Sequence, residues 1–114
     1  MAIYSKEILS GSTDGRPIKV VATATPGTTI HTAHATAKDE LWLYAVPSSG
    51  ADETLTIELG GVTSPDDLII IKVKKEVGPV LVVAGVPLTN SVVVRAFNDS
   101  ANDVNIFGYV NRIT

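Results

Sequence analysis

The sequence predicts an all-β fold, an antiparallel two-sheet β-sandwich of jelly-roll-like form with eight or nine strands. Three observations point to it. Val and Ile supply 25 of the 114 residues, and both are stiff at χ1 and pack well on a pleated surface. From residue 18 onward, short runs of strand-forming residues are separated by Gly, Pro, Asn and Asp, the punctuation of a sandwich or barrel. No stretch keeps a helical period, although composition alone would allow a short helix over 33–43.

Taken in order, residues 3–9 alternate weakly and read as an arm or edge strand, closed by a turn-rich loop at 10–17. Residues 1–16 form this N-terminal unit, and residues 17–114 form a single sandwich domain. Residues 18–25 alternate cleanly and predict a strand, ended by Pro26-Gly27. Residues 28–37 read as a strand followed by a loop at Lys38-Asp39. Residues 40–46 place Leu41, Leu43 and Ala45 on one face and Trp42, Tyr44 and Val46 on the other. Two apolar faces mark a strand that is central or packed at a subunit interface. Residues 54–59 alternate most clearly, with Leu55, Ile57 and Leu59 inward and Gly60-Gly61 closing the run. Strands follow at 68–73 and 80–83 with turns at 64–67 and 75–79, then a turn at 87–90. Strands at 91–97 and 104–112 flank a polar loop at 98–103. Consecutive hairpins of this kind collapse into two packed sheets.

Composition narrows the function. Charged residues make up 18% of the chain, below the usual share of about 25%, so part of the surface is expected to meet other subunits. A net charge of −3 and a pI near 5.2 argue against nucleic acid as a partner. The one basic cluster, Lys72, Lys74 and Lys75, reads as a solvated or edge-protecting strand end. The absence of Cys removes disulfides, thiolate metal sites and cysteine nucleophiles. No apolar run approaches the roughly 20 residues that span a bilayer, and the N-terminal residues lack the pattern of a secretory signal. A soluble protein made in the cytoplasm, without a membrane partner, is expected.

Groups suited to chemistry are few. His31 and His34 share a face only on a helix; on a strand they point apart, which defeats a common metal site. The carboxylates Asp39-Glu40, Asp52-Glu53, Asp66-Asp67, Asp99 and Asp103 fall at loops and strand starts, where Asp caps turns. The 98–103 loop holds oxygen ligands but lacks the spacing of a calcium loop. No nucleophile elbow, phosphate loop or dinucleotide fingerprint occurs. No catalytic residue, cofactor or metal is expected. Trp42, Tyr44, Phe97, Phe107 and Tyr109 recur at spacing two, either as large members of a core or interface or as a platform for sugar rings.

The ordered motifs DELWLY (39–44), TIELGG (56–61), TSPDDL (63–68), VVRAF (93–97) and FGYVNRI (107–113) resemble a family of small virion proteins of tailed bacteriophages. The likeness spans roughly residues 28–113; none of its motifs is catalytic. It implies a capsid decoration or auxiliary protein, made in the host cytoplasm and resident in the virion, that binds the major capsid protein or another virion protein. A homotrimer would match the threefold positions of an icosahedral shell. On this reading Trp42, Tyr44 and Val46 make subunit contacts, and Ile3, Tyr4 and Ile8 belong to a docking arm. Two alternatives stand beside it: a glycan- or host-surface-binding sandwich module, and an enzyme with a grafted site.

Overall fold

Alternation at period two builds nine strands in the structure, a computed structural model that describes residues 3–61, 66–75 and 78–114. They are β1 (Tyr4–Ile8), β2 (Ile18–Lys19), β3 (Thr28–Thr32), β4 (Lys38–Pro47), β5 (Glu53–Leu59), β6 (Leu68–Val73), β7 (Val80–Leu88), β8 (Val93–Asn98) and β9 (Val104–Ile113). The described residues contain no helix. The expected turns at 64–67 and 75–79 fall partly on residues 62–65 and 76–77, outside the described residues, as does part of the 63–68 motif.

Two antiparallel sheets pack face to face. The first runs β1-β9-β4-β7, with β2 also on β9, and the second runs β3-β8-β5-β6. The pairings β5 with β6, β4 with β7, β3 with β8 and β2 with β9 describe one long hairpin. Its strands zip outward from the β5–β6 end. The added contacts of β9 with β4 and β8 with β5 roll that hairpin into two sheets, the strand order of a jelly roll. Among the described residues only β5 and β6 are both consecutive and paired, so the expectation of consecutive hairpins is corrected. Period-two alternation sets which side chains face the core but carries no information on which strand lies alongside.

The core fills from both inner faces. Leu41, Leu43, Ala45, Val104, Ile106 and Val110 come from the first sheet, and Ile30, Leu55, Ile57, Val73, Val94 and Ala96 from the second. Leu9 and Val20, outside the strands, close it. Three local expectations are also corrected. The strand expected at 18–25 stops at Lys19, because the chain then crosses from one sheet to the other. Its backbone is satisfied on the way by Val104, Asn102 and Asn98, and by the Thr28 hydroxyl, which accepts from Val21 and Ala22. Lys38 and Asp39 open β4 instead of forming a loop, and β7 runs through Pro87 to Leu88. Pro is tolerated there because β7 is an edge strand.

Candidate functional site

Strand β4 lies between β9 and β7 in the first sheet. Leu41, Leu43 and Ala45 are fully buried, while Trp42, Tyr44 and Val46 stand half-buried on the outer face. Directly opposite residues of antiparallel strands share a face, so the register assembles this surface row by row. One row holds Ile8, Tyr109, Trp42 and Ala84; the next holds Phe107, Tyr44 and Leu81. Trp42 stacks on Tyr109 with ring centroids 6.4 Å apart, and Tyr44 on Phe107 at 5.6 Å, both pairs 17° from parallel. Ile8 is 54% exposed and Leu81 46%, so the rows end in apolar side chains that meet water.

The indole rests over Gly85, whose φ is +68°; a Cβ there would approach Trp42 Cζ2 to 2.9 Å. Glycine is the residue that both takes this backbone conformation and leaves room for the ring. Toward one end the surface turns polar. Glu40 Oε1 accepts hydrogen bonds from the Trp42 indole N–H (2.8 Å) and the Asn111 amide (3.2 Å), and these donors hold its carboxyl below the ordinary value. Lys6 Nζ sits 4.8 Å from the Tyr109 ring centroid, a cation–π contact. A shallow groove lined by Tyr4, Lys6, Glu40, Asn111 and Ile113 borders the rings.

The sequence points to six contact residues: Ile3, Tyr4, Ile8, Trp42, Tyr44 and Val46. Trp42, Tyr44, Val46, Tyr4 and Ile8 share this outer face, since Tyr4 lies opposite Ile113 and Ile8 opposite Tyr109. Ile3 precedes β1, is 65% exposed and exchanges backbone hydrogen bonds with Thr114. Residues 4–8 are paired along their whole length with β9, so this segment is an edge strand of the first sheet. Leu81 and Asn111 escaped sequence reasoning, because only the pairing register brings them to the rings; Glu40, two residues before Trp42 on the same strand, shares its face by alternation alone.

The histidines go to separate tasks. His31 is buried, and its Nδ1 accepts from the Ser10 backbone N–H (3.0 Å), which leaves the ring proton on Nε2 to donate to Asp39 (2.8 Å). The Ser10 hydroxyl accepts instead from the Thr32 N–H, so serine, histidine and aspartate sit together without a hydroxyl on the imidazole. Asp39 also receives Arg112 Nε (2.8 Å) and Nη2 (3.1 Å) and the His34 N–H (3.1 Å). Burial alone would raise its carboxyl, but these donors bring it to about 2. His34 Nδ1 accepts from the amides of Thr36 and Ala37 and so caps the turn into β4. At the other end of the second sheet, buried Glu53 accepts from Asn98 Nδ2 (2.7 Å), Ser100 Oγ (2.8 Å) and Ser49 Oγ (3.1 Å). The Asn98 bond is the main reason its carboxyl lies below the ordinary value. Among the described residues no group of three or more His, Asp or Glu side chains is placed to hold a metal ion. The Asp39 and Glu53 clusters tie the fold together, while the aromatic face stays partly exposed.

Comparison with protein-family models, with curated proteins and with solved structures finds no match to this chain.

Proposed function

We propose that this protein is a non-enzymatic virion structural protein of a tailed bacteriophage, a capsid decoration protein that binds the assembled shell as a symmetric oligomer. The observation that carries the reading is the outer face of β9 and β4, where Trp42–Tyr109 and Tyr44–Phe107 stack between Ile8 and Leu81. Apolar side chains gathered on one face mark an interaction surface, and aromatic residues are the usual anchors of interfaces. The low charge content points the same way. That jelly rolls serve as capsid domains is an analogy of fold alone.

The partners on this reading are further copies of the chain and the major capsid protein or another virion protein. A closed trimer buries this face between its three subunits and matches a local threefold of the shell. Three modest contacts acting together then hold where one would not. Its place is the virion, after synthesis in the host cytoplasm.

A second reading, a glycan- or host-surface-binding module, is favoured by one arrangement. Stacked rings bordered by Glu40, Asn111 and Lys6 offer an apolar platform beside groups able to bind hydroxyls. Co-sedimentation with purified shells separates the two. Wild-type protein should pellet with shells, and Trp42→Ala should weaken that binding about 10-fold or more, the loss typical of an aromatic anchor. Equal pelleting of both proteins would contradict the assignment of the face. A protein that ignores shells and binds an arrayed glycan would establish the second reading.

A further inference from the structure

We propose that β6 is a self-association edge: it pairs antiparallel with β6 of a second copy across a twofold axis, with Ile70 opposite Ile70 and Asp66 opposite Lys74. This contact lies on the second sheet, so it is separate from the aromatic face of the first and goes beyond the shell-binding reading.

The edge strands of this fold are not alike. The register of β7 against β4 shifts twice, and β7 carries Gly85 and Pro87. The free side of β3 is taken by the loop after β1, through Gly11 N–H to Ile30 O and Thr32 N–H to Ser10 Oγ. The strands on the outer side of β9 are short, five residues in β1 and two in β2. Bulges, Pro, covering loops, short strands and Lys side chains are among the ways proteins blunt a sheet edge. Among the described residues β6 shows no bulge, no Pro and no covering loop. Its register with β5 is unbroken from Glu53–Val73 to Glu58–Leu68, and among the described residues nothing hydrogen-bonds to its other side. At its centre Ile70 is 67% exposed.

The charge pattern names the occupant. The segment DDLIIIKVKK (66–75) is acidic at one end, basic at the other and apolar between. Beside a second copy running antiparallel, each acidic end meets a basic end; a parallel copy would set like charges together, which is unfavourable in cross-strand pairs. Opposing Ile70 to Ile70 also keeps the inner faces aligned. Ile69 and Ile71 pair with Ile57 and Leu55 on the core side, so they would continue the core into the neighbour, while Ile70 and Lys72 stay outside. Lys72 does not guard the edge, because its Nζ reaches back to Thr54 Oγ1 at 3.0 Å. Lys74 pairs with Asp52 at 3.4 Å on the open surface, a contact weak enough to exchange for Asp66 of a neighbour. With a threefold through the aromatic face, this twofold would join trimers to one another.

A cross-link tests it directly, since the chain has no cysteine. Opposite residues on antiparallel strands lie about 4.5 or 5.5 Å apart at Cα, within disulfide range. Ile70→Cys should therefore oxidise to a covalent dimer, while Val21→Cys, exposed on the connection after β2, should not. Asp66→Lys and Lys74→Asp should each weaken the twofold contact about 10-fold, and the two changes in one chain should restore it to within about 3-fold. The proposal is overturned if Ile70→Cys stays uncrosslinked, or if the double exchange is no better than either single one. Trp42→Ala should leave the cross-link intact, so failure at β6 is distinct from failure of the aromatic face.

Discussion

Replacing Asp39 with alanine should lower the stability of this protein by about 3–5 kcal/mol, the cost of breaking a buried ion pair from one side. The carboxylate is fully buried and accepts from Arg112, His31 and the His34 backbone. Arg112 and Asp39 belong to the first sheet and His31 to the second, so one side chain ties both layers. Its removal leaves a guanidinium, an imidazole N–H and a backbone N–H without their acceptor. In thermal unfolding the midpoint should fall by about 12–20 °C; a drop of less than about 3 °C would remove the cluster from the account of stability.

The same group sets a pH dependence. Asp39 titrates at about 2 in the fold against 3.8 ordinarily, so the unfolded chain takes up the proton first. The associated stability is fully present above about pH 4 and is lost as pH falls through about 2. It amounts to roughly 2 kcal/mol. Denaturant unfolding measured at pH 5 and pH 2 should show that loss beyond whatever remains in Asp39→Asn.

Gly108→Ala should be comparably damaging, at about 3–5 kcal/mol. Gly108 sits in β9 opposite Leu43 of β4. A Cβ placed on it would run into the Trp42 carbonyl oxygen and lie 3.2 Å from Leu43 Cα. Both neighbours are backbone, so the clash has no side chain to yield and the two strands must part. Because β9 joins β1, β2 and β4, that separation reaches the core and the aromatic face together. Alanine tolerated at 108 with a loss below 1 kcal/mol would show that the sheet relaxes there.

Local alternation was enough to read most strands and both faces of β4, since inward and outward positions differ in polarity along a single segment. Leu41, Leu43 and Ala45 against Trp42, Tyr44 and Val46 is the clearest instance. Partnership was not legible. That Ile8 flanks Tyr109, that Leu81 flanks Tyr44, and that Asp39 meets Arg112 across 73 residues follow from the rolled hairpin, which no local pattern encodes. Residues 20–25 show the converse: they alternate as a strand should, yet leave the sheet because the chain must cross between layers. The surface chemistry of the aromatic stripe and the Glu40 end of its polar rim follow from alternation along β4, but Asn111 and Lys6 join it only through pairing with β9 and β1.

Native mass, by size-exclusion chromatography with light scattering, shows whether the outer face of β9 and β4 meets a partner. The measurement is cleanest in an Ile70→Lys background, which removes the β6 contact by opposing two charges. A subunit of 12.0 kDa should then run as a trimer of about 36 kDa, and adding Trp42→Ala should return it to the mass of one subunit. A monomer before that change, or a mass that Trp42→Ala does not alter, would mean that this face holds no subunit.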